Sequence, residues 1–311
     1  NSILSLYLSA FHFFVVTLYH KYHPAEKSAQ NTDAMKKVLS ILLVVILVGI
    51  VAWAWRYRSG ACDYRYEVVS RYDEPCKDSS DCTSYYVSYP VFSKKLFPSA
   101  GVDSINAQVF RQVSGPDGKT PEQLADEFFQ EYRKYVAFRE EIAAEEQDTA
   151  MMRFIPTWFS TAECFVVVDA PRLIVTGYKV NQYAGGAHGM YALAYTNYDV
   201  LTGRRLGLSE VFSDTLALAE KITARFIRER ELDTEVPLSE QGYFIEDNLL
   251  PLTDNFALHP DGVIFYYNVY EIAPYSYGSS SVTVPYADLD GILKYKPDFK
   301  RAEVFAPDME S

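Results

Sequence analysis

Histidine, cysteine and tryptophan are scarce in this chain: five, four and three among 311 residues. Past residue 58 only His188 and His259 remain of the histidines. A transition-metal site needs three or four nitrogen, sulfur or carboxylate ligands at workable spacing. Past residue 58 no Cys-x-x-Cys pair and no close histidine pair offers one, so neither metal nor cofactor is expected. A Gly-x-Ser-x-Gly nucleophile turn is missing too, as is any fixed-period repeat. Basic residues fall short: 29 Lys and Arg against 41 Asp and Glu give a formal net charge of -12. A protein that tracks nucleic-acid phosphates needs a basic face, so nucleic acid is excluded as a partner.

What is abundant is tyrosine, 25 residues, within an aromatic content of 15%. Hydrophobic residues make up 49% and charged residues 23%, the balance of a folded globular chain.

The longest apolar run is Val38 to Trp55. Its length of about 18 residues suffices to cross a bilayer as a helix. Lys36 and Lys37 precede it, Arg56 and Arg58 follow, and Trp53 and Trp55 stand at interfacial depth. Met35 with its two lysines reads as a start site and signal n-region. On that reading residues 1–34, with a second apolar run from Ile3 to Tyr19, are an upstream extension, and 35–58 is a transmembrane or signal segment. Residues after about 58 are then expected outside the cytoplasm, periplasmic or extracellular. Two anchors remain open: a retained signal anchor, or a lipoprotein attached through Cys62 of "SGAC".

All four cysteines, Cys62, Cys76, Cys82 and Cys164, follow that segment. "CKDSSDC" sets Cys76 and Cys82 at the ends of a polar loop between two strand-like runs, Tyr64 to Arg71 and Ser84 to Tyr89. A disulfide there would clip a hairpin in an oxidising compartment.

The rest reads as strands interrupted by two main helices. Pro90 marks a strand end or an edge position. Ile105 and Val109 share one face of a short helix within "VDSINAQVF". Thr120, Pro121 and Gln123 form a capping box that opens a long helix, with Leu124, Phe128, Tyr132, Tyr135, Val136 and Ile142 at helical spacing. "CFVVVDAPRLIVTGYKV" is a hairpin turning at Asp169 to Arg172, and Met190 to Asp199 alternates as another strand. Asp214 caps a second helix whose apolar face carries Leu216, Ala219, Ile222 and Phe226. His259-Pro-Asp-Gly turns a further hairpin, "SVTVP" is a strand, and a short helix is expected from Ala287 to Lys294. This order, with hairpins in place of βαβ repeats, predicts an α+β fold with a largely antiparallel sheet after the N-terminal segment.

Two strings carry a resemblance: "YAGGAHG" at 183–189 and "YEIAPYSYG" at 270–278. With their flanks they resemble the C-terminal domain of unknown function of RsiV-like anti-sigma factors. The stretch from "YVSYPVF" through "YKVNQY" looks like the companion domain shared with PdaC-type peptidoglycan deacetylases. The resemblance divides the outer part into residues 63–180, an N-terminal α+β part, and 181–297, an RsiV-like domain, with a tail at 298–311. It implies a membrane-anchored extracytoplasmic module that binds a cell-wall glycan or a wall-acting protein such as lysozyme.

The residues themselves allow several roles. Gly185 and Gly186 permit positive φ, and a strand rather than a helix follows, which argues against a phosphate loop. His188 is a buried imidazole that fixes a strand connection, a ligand contact, or a general base or metal ligand. Tyr275 and Tyr277 with Pro274 and Gly278 form either a packed loop or a rigid aromatic surface. Tyr183, Gly185, Gly186, His188, Glu271, Tyr275 and Tyr277 are therefore the candidate ligand-binding residues. The alternative is a hydrolase of wall polysaccharide with Glu271 as acid, Asp199 and His188 being its potential partners. No catalytic set is legible in sequence alone.

Overall fold

The computed structural model describes residues 38–51, 62–73, 82–93, 100–114, 117–145, 156–300 and 302–305. The chain forms two compact units, Asn1–Arg58 and Ser59–Ser311. In the first, residues 38–51 are helical with apolar side chains exposed on every side. Fourteen residues rise about 21 Å, short of a hydrocarbon core of about 30 Å. Among the described residues no helix is long and apolar enough to cross a membrane. The upstream extension, the flanking lysines and arginines, Trp53, Trp55 and the rest of the apolar run lie outside the described residues.

The second unit is built on a six-stranded sheet. β1 (Asp63–Tyr72) pairs antiparallel with β2 (Ser84–Ser93), and β2 pairs parallel with β3 (Phe159–Ala170). A parallel partner requires a long crossover. Helices α1 (Ala100–Ser114) and α2 (Pro121–Glu145) supply it. β3, β4 (Leu173–Tyr183) and β5 (Met190–Asp199) then follow as an antiparallel meander. The β3–β4 turn falls at Pro171 and Arg172, within the expected hairpin. After Ser88 the strands β2 and β3 part, and β9 (Glu303–Val304) takes the place beside Val168 and Asp169.

Both faces of this sheet are covered. On one, Val102, Ile105, Val109 and Val113 of α1 pack with Val87, Cys164, Val166 and Ile174. On the other, Val167, Val175, Leu193 and Tyr195 meet a second, three-stranded sheet: β6 (Phe256–His259), β7 (Gly262–Tyr267) and β8 (Ser280–Val284). Behind the second sheet, α4 (Thr215–Glu229) packs on β8, preceded by the single-turn α3 (Leu208–Val211). The fold is α+β, and among the described residues the strand pairing is antiparallel except for β2–β3.

Several local expectations are met by the chemistry that motivated them. Thr120 N–H donates to Gln123 Oε1 at 2.9 Å and Gln123 N–H to Thr120 Oγ1 at 3.4 Å, closing the capping box. Asp214 accepts from Ala217 N–H at 3.0 Å. Other expectations shift. In α4 Leu218 is buried while Leu216 is 62% exposed, because the buried stripe runs Leu218, Ala219, Ile222 and Phe226. In α2 the stripe includes Ala125 and Phe129 beside Tyr132. The short helix expected from Ala287 to Lys294 is only a 3-10 turn, Tyr286–Leu289. The boundary expected at 180/181 falls inside β4, whose hydrogen bonds join both parts.

Pro90 sits inside β2, not at its end. Phe92 gives its N–H to Asn106 Oδ1 and takes Asn106 Nδ2–H on its carbonyl, both at 2.8 Å. Phe92 therefore makes no ladder bond to Tyr64 opposite, and Pro90, two residues away, points its nitrogen the same way. At that point β3 has already departed, so no N–H is needed.

Asparagine side chains serve as peptide surrogates elsewhere as well. Asn197, 2% exposed, donates to Phe256 C=O at 2.7 Å and accepts Leu258 N–H at 2.8 Å. Asn255 accepts Tyr195 N–H at 2.8 Å and donates to Leu193 C=O at 2.7 Å. Asn268 accepts Leu193 N–H at 2.8 Å. Asn255 and Asn268 satisfy the outer edge of β5, Asn197 of β5 satisfies β6, and together they fix the second sheet against the first.

Cys62 and Cys164 are buried thiols, and Cys82 is disulfide-bonded; Cys76 lies outside the described residues. Cys62 packs in the helix-side cluster.

Candidate functional site

The two glycine- and tyrosine-rich strings, some 80 positions apart in sequence, meet at one end of the molecule. Tyr183 closes β4, residues 184–189 form the loop, and Met190 opens β5. The second string forms a 3-10 turn, Tyr275–Tyr277, between β7 and β8. The His188 ring stacks on Tyr275, with centroids 4.5 Å apart and planes 27° apart. Tyr191 meets Tyr275 edge-on at 6.0 Å and Tyr270 lies 5.6 Å away. The result is an aromatic platform of one imidazole and three phenol rings.

Backbone geometry explains how the loop presents it. Gly185 and Gly186 hold φ of +88° and +103°, which favour glycine. The Tyr183 hydroxyl donates to Gly186 C=O at 2.9 Å, while its ring stacks on Phe159. His188 lies at the surface, not buried as one reading of the sequence had it. Its Nδ1 lies 2.8 Å from Gly189 C=O. Because a carbonyl only accepts, Nδ1 supplies the proton of that hydrogen bond. The Tyr275 hydroxyl donates to the same carbonyl at 3.4 Å. Burial, then the neighbouring Tyr275 and Tyr266, push the Tyr191 phenol up, with a hydrogen bond to the Ser279 backbone working the other way.

The remaining candidates separate. Tyr277 turns away from the stack, to Tyr243 at 5.7 Å edge-on, with its hydroxyl against Gly242. Glu271 accepts Asn268 N–H at 3.0 Å and lies 3.3 Å from Asn268 Nδ2. It therefore orients the amide that holds Leu193. Asp199 accepts Thr202 N–H at 2.8 Å and Thr202 Oγ1–H at 2.9 Å, and pairs with Arg172 at 3.5 Å. It lies at the far end of β5, roughly 30 Å from Met190 at strand rise. His188, Glu271 and Asp199 thus do not form a shared acid–base site. Among the described residues no group of three or more His, Cys, Asp or Glu side chains is placed to hold a metal.

Tyr191 enters the platform although its alternation reads only as sheet packing. It stands at the start of β5 and is half-exposed. A separate depression of about 720 Å³ is lined by Arg71, Asp126, Phe129 and Arg133 among others, and contains none of the motif residues.

Comparison with known proteins places these features. Residues 209–287 match the family model DUF3298, described as a protein of unknown function. Over 132 residues the chain is 24% identical to the peptidoglycan-N-acetylmuramic acid deacetylase PdaC of Bacillus subtilis (strain 168), covering 42% of this chain. It spans 28% of that relative's own length. The solved structure of a DUF3298 family member from Bacteroides fragilis superimposes with a TM-score of 0.61 at 25% identity, over 76% of this chain and 96% of that one. A DUF3298 family protein from Pseudomonas aeruginosa PAO1 shares the fold at a TM-score of 0.53 and 18% identity, with the same coverage. Over residues 209–287 the chain is thus similar to the DUF3298 family; it shares its fold with solved structures of that family and has distant sequence similarity to a cell-wall deacetylase.

Proposed function

We propose that the protein is a membrane-anchored extracytoplasmic binding or sensor module, and that the platform around His188 and Tyr275 is its contact surface for a cell-wall glycan or a wall-acting protein such as lysozyme. The observation that carries this reading is the stacking of His188 on Tyr275 at the surface, which unites two distant strings. Aromatic faces with adjacent hydroxyl groups suit both sugar C–H faces and protein hot spots, and rigid tyrosines give contact area at low entropic cost. The similarity to a peptidoglycan deacetylase supports a wall context. A net charge of -12 favours a basic protein partner by complementarity. In this reading the apolar run 38–55 is the anchor, and the exposed apolar side chains of residues 38–51 suit lipid contact. Engagement of Glu271 by Asn268 and the distance of Asp199 weigh against the hydrolase alternative.

The test is titration of the full chain in detergent with soluble peptidoglycan fragments and, separately, with lysozyme. The expected result is saturable binding of one of them, weakened at least tenfold in Tyr275→Ala. Binding of neither, or binding indifferent to both Tyr275→Ala and His188→Ala, overturns the reading.

A further inference from the structure

We infer that β1 is the dimerisation edge of the molecule, pairing antiparallel with β1 of a second copy of this chain. The two edges of the central sheet are treated differently. β5 has its outer backbone groups met by Asn255 and Asn268, and the stretch of β2 beyond β3 is met by Asn106. Among the described residues β1 pairs with β2 alone. Its sequence, DYRYEVVSRY, contains neither the proline nor the lysine that commonly blunt an edge.

Which backbone groups point outward follows from three bonds. Asp73 N–H donates to Thr83 C=O at 2.9 Å, so odd-numbered residues of β1 face β2. Phe92, opposite Tyr64, bonds Asn106 instead, and Ser84 N–H bonds Trp158 C=O on the β3 side. Tyr66, Val68, Ser70 and Tyr72 therefore direct their N–H and C=O groups away from the sheet.

A two-fold antiparallel pair must match outward residue to outward residue, which restricts the registers. Centring on Glu67 sets Glu67 against itself, and centring on Val68 sets Arg65 against Arg71. Centring on Val69 sets Glu67 of each copy against Arg71 of the other, in the closer non-hydrogen-bonded positions. That contact links the Arg65–Glu67 pair of one copy to the Arg71–Asp126 pair of the other as alternating charges. On the opposite face the same register sets Tyr66 against Tyr72, and Val68 against Ser70. Tyr66, Val68 and Tyr72 are 44%, 53% and 50% exposed, and this register covers all three. A shift to centre on Tyr66 also pairs opposite charges, Arg65 with Glu67, but leaves Tyr72 uncovered. β1 and β5 are the opposite edges of the sheet, so the dimer keeps both His188 platforms open and makes the assembly bivalent.

The experiment uses the full chain in detergent, with the protein mass measured by light scattering and with oxidative cross-linking of Val69→Cys. The expected mass is that of two chains, and Val69→Cys is expected to give a disulfide dimer on a non-reducing gel while the unaltered chain gives none. Val68→Pro removes an outward N–H without touching the β2 ladder, so the expected result is a monomer with an unchanged circular-dichroism spectrum. A monomeric wild type overturns the proposal, as does a dimer that survives Val68→Pro or fails to cross-link through position 69. Should Val68→Pro not fold, Ser70→Pro and the cross-link decide the matter by the same outcomes.

Discussion

His188 and Tyr275, 87 positions apart in the chain, lie ring on ring at 4.5 Å on the protein surface. His188 is exposed and Tyr275 half-buried among three rings: His188→Ala is expected to lower unfolding free energy by about 1 kcal/mol or less, and Tyr275→Ala by about 1–2 kcal/mol. The coupling between them in a double-mutant cycle is expected at about 0.5–1 kcal/mol. Urea denaturation of the four proteins measures both. A loss several times larger for His188→Ala would make the histidine a core element and not a contact residue.

Asn197 presents the opposite case. Replacing it by alanine removes partners from Phe256 C=O and Leu258 N–H deep in the structure. Each buried group left without a partner costs about 1–3 kcal/mol, so Asn197→Ala is expected to destabilise by about 2–5 kcal/mol. The same denaturation midpoint reads this, and a change below about 1 kcal/mol would refute the stitching role.

Glu271 is expected to behave as a positioning residue. Glu271→Gln keeps an acceptor for Asn268 N–H and should retain near-wild-type stability, whereas Glu271→Ala should lose about 1 kcal/mol. Any glycan hydrolysis by the native protein that Glu271→Gln abolishes at unchanged stability would restore the acid role.

Alkaline pH should unfold the protein through its buried phenols. Burial, then the neighbouring Tyr266, pushes Tyr195 up to about 12. Burial, then Cys164, pushes Tyr198 up to about 12 as well. Raised folded values mean that the unfolded chain loses these protons first, from about pH 10. Stability is therefore full below pH 10 and falls between pH 10 and 12, with a limiting slope of about 1.4 kcal/mol per pH unit for each such group. Denaturation at pH 8, 9, 10 and 11 tests this, and a flat profile to pH 11 would contradict it.

Much of the fold was legible because its signals are local. The Thr120–Gln123 capping box, the Asp214 cap and the strand alternation each depend on residues a few positions apart. The errors have equally local limits. Leu216 and Leu218 differ by two positions, and only contact with β8 selects which one faces inward. Pro90 read as a strand end or an edge position, and the choice between them rests on the departure of β3 after Ser88, a non-local event that removes the need for its N–H. Asn197, Asn255 and Asn268 read as ordinary polar residues, since nothing local announces that an amide will bond another strand's backbone.

By itself the sequence determined the α+β class, the hairpins, the capped helices and the identity of the two glycine- and tyrosine-rich strings, because periodicity and turn chemistry act over short spans. Tertiary structure alone decided what the strings do together. The return of the chain through the second sheet brings Tyr275 under His188, turns Tyr277 aside to Tyr243, and engages Glu271 with Asn268. Ring stacking and amide bonding act over a few ångströms of space, and only the closed sheets bring residues so far apart in sequence within that reach.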